Sequence, residues 1–275
     1  LAEQRVDEPR GEGLAALGEL PAMLEEASGS LSGFVAAVMS AGAAALASPW
    51  LMRPALAADD PIVFGMPYPI SGPFAANGKY GVMGAELFFD AMPTVINRPL
   101  SYIALDTQGQ PASAVRKVQD LFEQQNARFF TGGILSSSAL AMGKALDKLG
   151  GVYVTTAGAD EITGKDCNRA TFRWSVPTYG AVQETIGPLL ERYPDAKRWY
   201  TITPQYVFGE ALLAATKDLL EKNGRELVGN SYHGLDEKEF SGYIINAKSK
   251  KPDVLVLLNF GSQSSESLRQ AVSFG

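Results

Sequence analysis

From Ile62 onward the sequence alternates short runs rich in β-branched and aromatic residues with longer amphipathic stretches, and few architectures accommodate that rhythm. The spacing predicts strands over Ile62–Met66, Leu100–Asp106, Ala127–Thr131, Val152–Thr155, Trp199–Thr203, Glu226–Tyr232 and Val254–Leu258. Between them it predicts helices over Tyr80–Ala91, Ala112–Gln125, Ser137–Leu149, Val182–Tyr193, Glu210–Asn223, Phe240–Ser249 and Ser264–Ser273. Val115, Val118, Leu121 and Phe122 recur at helical spacing, with Arg116, Lys117 and Asp120 on the other side. Gly224, after Lys222 and Asn223, supplies a helix stop. Strand–helix alternation means a parallel sheet with helices on both faces, and the right-handed crossover rule leaves doubly wound α/β topologies. The loop from Gly158 to Ala170 breaks the rhythm and is followed by an extended run, Thr171–Trp174, then Pro177 and a long helix near Tyr179. Two sheets joined by a strand-like crossover account for this better than one sheet of seven strands. The lobes therefore divide near Pro177, with lobe one over 58–177 and lobe two over 178–275.

A hydrophobic share of 46% against 20% charged residues is enough for a sizeable core. Lys plus Arg number 24 and Asp plus Glu 30, a net charge of −6, so no basic excess exists to neutralise phosphates and nucleic acid is not an expected partner. The single cysteine, Cys167, excludes an internal disulfide and any cysteine-built metal site. The single histidine, His233, excludes multi-histidine metal sites, so no metal and no cofactor are expected.

Residues 1–57 read as an extension followed by a signal-peptide-like leader. The uncharged run LSGFVAAVMSAGAAALA at 31–47 is short for a spanning helix, and Ala55-Leu56-Ala57 has the small-x-small pattern of a signal-peptidase site. A membrane anchor or a buried Ala-rich helix is the competing reading. No lipid-bearing cysteine follows the cleavage pattern, so the expected location is the periplasm, reached through the leader and without a lipid anchor.

In an open α/β sheet, ligands bind beyond the carboxyl ends of the strands. The loops there are Pro69–Gly78, Gly132–Ser138, Thr155–Asp160 and Pro204–Gly209. Ser136, Ser137 and Ser138 stand where a helix begins, where backbone N–H groups and the helix dipole favour an anion. One serine suffices for a cap, leaving a hydroxyl for a bound carboxylate; a plain Ser-rich turn is the alternative. Catalytic signatures are missing. Ser136 lacks the G-x-S-x-G elbow, Gly78–Gly84 fits neither a dinucleotide fingerprint nor a P-loop, and His233 reads as a surface or turn residue. No catalytic residue is expected, and the chain does not read as an enzyme.

The same loops resemble the type I periplasmic binding proteins of ABC importers, the branch that includes leucine/isoleucine/valine-binding proteins. The likeness is carried by Ile70-Ser-Gly-Pro-Phe-Ala-Ala-Asn-Gly78, Gly84-Ala-Glu-Leu87, Leu135-Ser-Ser-Ser138, Thr155-Thr-Ala-Gly-Ala159, Thr163-Gly-Lys-Asp-Cys-Asn-Arg169 with Thr171-Phe-Arg-Trp174, Phe208-Gly-Glu210 and Leu268-Arg-Gln-Ala271. It implies two α/β lobes closing on a small molecule, here C-terminally incomplete because the family's later crossings fall past Gly275. It also implies delivery of the solute to the membrane permease subunits of an ABC importer, by a monomer. By position, Ser136 matches the serine that holds a ligand's carboxylate, with Ser137 beside it. Ala157 matches the residue whose carbonyl receives an ammonium, with Asp160 as a further partner for that charge. Phe208 and Phe260 match aromatics that cover the ligand. Three features depart from the amino-acid pattern: Ala159 replaces a threonine, Asn77 a tyrosine, and Phe208 and Phe260 tyrosines. These changes favour an apolar or aromatic carboxylate, or an amide, over free leucine. A ligand-sensing domain of a receptor or regulator shares the expected fold, and a hydrolase on the same sheet is a third, weaker alternative.

Overall fold

The computed structural model describes residues 60–274. The leader and its cleavage pattern lie outside the described residues. The first sheet has six strands in the order β2-β3-β1-β4-β5-β6. Its centre is β1 (Ile62–Tyr68), flanked in parallel by β3 (Arg98–Asp106) and β4 (Phe129–Thr131), with Ile62 opposite Leu100 and Phe64 opposite Phe129. Outward from β4 follow β5 (Val152–Thr155) and β6 (Thr171–Arg173), again parallel. The extended run expected as a strand-like crossover is paired as the edge strand of this sheet, Thr171 lying opposite Tyr153. The other edge carries β2 (Thr94–Val95), which pairs antiparallel with Arg98 and Pro99. Its two-residue turn, Ile96-Asn97, has positive φ at both positions (47° and 59°), the geometry that matches hairpin twist.

Helices α1 (Ala75–Ala91), α2 (Pro111–Gln125) and α3 (Ser136–Leu149) belong to this sheet. Pro111 opens α2, where its missing N–H costs nothing. Asn126 (φ 53°) and Gly150 (φ 79°) end α2 and α3 in the left-handed conformation. Ala114, Val118 and Leu121 of α2 meet Ala139, Met142 and Leu146 of α3 over Phe130 and Tyr153, which forms the main core of the lobe.

After Pro177 the chain enters α4 (Thr178–Arg192) and a second sheet in the order β8-β7-β9, all parallel: β7 (Arg198–Pro204), β8 (Glu226–His233) and β9 (Val254–Leu257). One face is covered by α4 and α5 (Val207–Lys222), where Val182, Ile186 and Leu190 pack with Leu212, Leu219 and Trp199. The other face is covered by α6 (Ser241–Ser249) and α7 (Ser262–Ser273), through Ile244 and Ala247 against Tyr200 and Ile202. Each sheet lies with the carboxyl ends of its strands facing the loops singled out from the sequence.

Among the described residues, nothing covers one face of the lobe-one sheet. Phe129, Val154 and Phe172 stand on β4, β5 and β6 and are exposed, as is Trp174 just beyond at 84%. With Phe64, Phe88 and Phe130 some of these residues line a groove of about 710 Å³. Among the described residues, no helix is long and apolar enough to cross a membrane.

Candidate functional site

Each lobe opens its first strand-to-helix turn in the same way. In lobe one, β1 ends at Tyr68 and α1 folds back so that Gly78 touches the Pro69 backbone; a Cβ there would collide with the Pro69 carbonyl oxygen. In lobe two, Gly209 of α5 sits equally close to the Pro204 carbonyl oxygen. Only a residue without a side chain permits either approach.

The lobe-one turn is further tied by Asp106, at the end of β3. Its carboxylate accepts the Ile70 N–H (2.9 Å), the Ser71 N–H (3.2 Å), the Ser71 hydroxyl (2.7 Å) and the Gln108 N–H (2.9 Å). Partial burial pushes this carboxyl up, but the Ser71 hydroxyl and the three N–H groups outweigh it and hold it below its ordinary value.

The loop after β4 passes through Gly132 (φ 121°) and Gly133 (φ 76°), conformations open to glycine. Both carbonyls are held from β5: the Tyr153 hydroxyl donates to Gly132 O (3.0 Å) and the Thr155 hydroxyl to Gly133 O (3.0 Å). Helix α3 then starts, and its first intrahelical bond runs from the Ala139 N–H to the Leu135 carbonyl. The N–H groups of Ser136, Ser137 and Ser138 therefore lack intrahelical partners. The expected serine cap is not formed. Leu135 occupies the cap position without a side-chain bond, because its side chain is drawn into the core and is 2% exposed. Ser136, fully buried, instead accepts the Ala159 N–H at 3.2 Å, which joins the second and third lobe-one loops. Thr155 Oγ1 accepts the Ala157 N–H at 3.1 Å in the same corner.

Between the lobes lies a cleft of about 540 Å³. Asn77, Phe208 and Phe260 line it. Ser136, Ala157 and Ala159 are buried and are not on its surface; Ile134, Thr156 and Gly158 form the wall there. Ser137 is half-buried in the first turn of α3. Asp160 turns its carboxylate to the Tyr179 N–H (3.0 and 3.1 Å), serving the start of α4, and does not line the cleft.

Lobe two closes the cleft with rings. Phe208 meets Phe260 edge-on at 6.1 Å between centroids, and Phe74 of lobe one stacks on Phe260 at 5.9 Å. Gly158 leaves room for the Phe208 ring, and the Asn77 amide oxygen lies against Gly261. The lining residues are Tyr, Phe, Asn, Ser, Thr, Gly, Ala, Ile and Val, and no charged side chain is among them.

Nine lining residues were not among the sequence candidates, four of them bearing hydroxyls: Tyr68, Thr156, Ser175 and Tyr206. Thr156 and Tyr206 sit inside loops already singled out; Tyr68 and Ser175 carry no local signal. Burial pushes the Tyr206 phenol up, so it stays protonated and can donate. His233 is also corrected: it is 2% exposed, not a surface residue, because Phe240 and Tyr243 pack around its ring.

The family model for periplasmic binding proteins matches residues 61–275. The chain belongs to this family. Its two parallel sheets with flanking helices are those of the type I periplasmic binding proteins. The chain is 59% identical to an amino acid ABC transporter substrate-binding protein from Pseudomonas fluorescens Pf-5, over 78% of this chain and 58% of that one, with a TM-score of 0.72. A periplasmic binding protein from Burkholderia mallei is 27% identical over 78% of this chain and 58% of its own, with a TM-score of 0.73. A solute binding protein of an ABC transporter from Rhodopseudomonas palustris BisB5, solved with 3,4-dihydroxy benzoic acid, shares the fold at 21% identity and a TM-score of 0.71, over 78% and 59% of the two chains. The periplasmic binding protein chain thus spans less than two thirds of these relatives' length. No curated protein matches it.

Proposed function

We propose that this chain is the greater part of an extracytoplasmic solute receptor. It binds a small carboxylate-bearing metabolite between its lobes and hands it to the permease subunits of an ABC importer, as a monomer in the periplasm. In this reading the lobes divide at Pro177. The observation that carries the ligand class is a cleft with aromatic cover and no charged side chain, beside a helix start whose N–H groups lack intrahelical partners. A carboxylate can be received there by N–H groups and by the hydroxyls that line the cleft, among them Thr156 and Tyr206. An ammonium has only neutral acceptors, and burying one without good partners costs several kcal/mol, to the order of magnitude. A ring set against Phe208 and Phe260 gains about 0.5–1.5 kcal/mol beyond the area it buries. The preferred ligand is therefore an apolar or aromatic carboxylate, or its amide. A free amino acid is the second reading, favoured by the 59% identity to an amino acid substrate-binding protein. We further propose that the bare face of lobe one, around Phe129, Val154 and Phe172, is covered in a longer protein.

A thermal-shift screen with benzoate, 4-hydroxybenzoate, phenylacetate, leucine, isoleucine and valine at equal concentration separates the two readings. Stabilisation by the aromatic acids is expected. Stabilisation by the branched-chain amino acids alone would replace this ligand class with the second.

A further inference from the structure

The chain's one histidine is buried against Phe240 and Tyr243 and hydrogen-bonded to the residue that precedes Phe260. His233 ends β8, and both of its ring nitrogens meet oxygen: Nδ1 the Gly234 carbonyl at 2.8 Å, and Nε2 the Asn259 side-chain oxygen at 2.8 Å. The Asn259 amide nitrogen donates to Ser267 Oγ (2.8 Å), and Ser267 donates onward to the Ser264 carbonyl (3.2 Å). Asn259 is followed by Phe260, the ring that packs on Phe208 of lobe two and Phe74 of lobe one, and by Gly261, whose φ of 63° turns the chain into α7.

A neutral imidazole has one N–H and cannot donate to both oxygens. Every bond in the chain is satisfied at once only when His233 is protonated. In the neutral form, either one contact loses its hydrogen or the Asn259 amide turns over. Turning over would draw the Ser267 hydroxyl away from Ser264 and change the hold on the residue before Phe260.

The groups facing the ring are few. From the loop after β8 come Asp236 and Glu237, and from α6 comes Tyr243, whose hydroxyl donates to Glu237 (2.9 Å). Among the described residues, the loop after β9 and α7 bring the uncharged Asn259, Gln263 and Ser267, and Pro204 lies opposite on β7. Gln263 donates to the Gly234 and Leu235 carbonyls (3.0 and 2.9 Å), which keeps the Nδ1 acceptor in place. The Glu237 carboxyl is held low by the Glu239 N–H and the Tyr243 hydroxyl, with the His233 charge adding to the effect, so a carboxylate is present to accompany an imidazolium.

We infer that His233 is a positioning residue for the cleft, its charge state setting the Phe260 ring through Asn259 and so making the contact between the lobes pH-sensitive. The effect on a ligand rests on the proposed solute-binding role, but the position of Phe260 can be followed with no ligand present. Histidine-selective ¹⁵N labelling of the whole chain gives one ring to observe, and 4-fluorophenylalanine placed at position 260 gives one fluorine. Between about pH 5 and 8, the window in which histidine charge changes are sought, the ring ¹⁵N and the ¹⁹F resonances should move with a common midpoint. In Asn259→Ala the ¹⁵N titration should persist and the ¹⁹F response should be lost. In His233→Gln the fluorine should become pH-invariant. A fluorine that stays still while His233 titrates, one that responds equally in Asn259→Ala, or a His233 ring that keeps one charge state across the window would each overturn the inference. Should either variant fail to fold, co-titration in the unsubstituted chain decides the matter.

Discussion

The first turn of lobe one and the first turn of lobe two share a frame and differ in what they add to it. Both close a strand against a helix through a glycine, Gly78 on Pro69 and Gly209 on Pro204. Lobe one then fastens its loop with a carboxylate, Asp106, and sets polar groups behind it: Ser136, Thr155 and the start of α3. Lobe two sets rings on the same frame, Tyr206, Phe208 and Phe260. Repeated α/β geometry supplies the place for a ligand, and the residues hung on it supply the chemistry. One lobe can orient a polar head while the other covers an apolar body.

The common frame is the easiest part of this comparison to break. Gly78→Ala and Gly209→Ala each force a Cβ into a backbone carbonyl, and overpacking of this kind costs about 3 kcal/mol. Urea unfolding should show losses of similar size for the two variants. A loss in one lobe only would mean that the frames are not equivalent.

The polar corner of lobe one comes next. Ser136→Ala leaves the buried Ala159 N–H without its acceptor, which should cost about 1–2 kcal/mol of stability before any ligand is added. Unchanged denaturant midpoints would show that this bond does not join the two loops.

The smallest effect distinguishes the two turns by pH. The Asp106 carboxyl is depressed in the folded chain, so its contribution is complete above its unfolded value and is lost as pH falls through the folded one, below about pH 4. Hydrogen exchange at Ile70 and Ser71 should accelerate on acidification, whereas at Gln205, whose N–H is held by the His233 carbonyl at 2.9 Å, it should not follow the same course. Asp106→Asn should remove the acid response and cost about 1 kcal/mol at neutral pH. Equal acid responses in the two turns would contradict the distinction.

Among the described residues, hydrophobic periodicity made seven of the nine strands and the seven α-helices legible, because each buries one face in a core. Three helix starts were placed three or more residues late, at Tyr80, Val182 and Glu210 instead of Ala75, Thr178 and Val207, since Asn77, Gly78, Gly180 and Gly209 weaken the helical pattern in those first turns. The β2–β3 hairpin was invisible: its pairing covers only two residues on each strand, and its turn places Ile96, a poor residue for positive φ, where Gly or Asn would signal it. In the site, the rule about strand carboxyl ends located the loops, and Asn77, Phe208 and Phe260 followed from resemblance. Capping by serine was misjudged because the core claims Leu135, and His233 because its burial depends on α6 and α7, far from it in sequence.

The division of labour between the lobes is tested most directly by calorimetric titration of benzoate and benzamide into the unsubstituted protein, Thr156→Val and Phe260→Ala. The account predicts that Phe260→Ala weakens both compounds by a similar factor, roughly tenfold for the lost ring contact. It predicts that Thr156→Val weakens benzoate by about 1–3 kcal/mol and benzamide by less, because only benzoate presents a charge to the polar wall of lobe one. Equal loss for the two compounds in Thr156→Val, or no loss for either in Phe260→Ala, would contradict it.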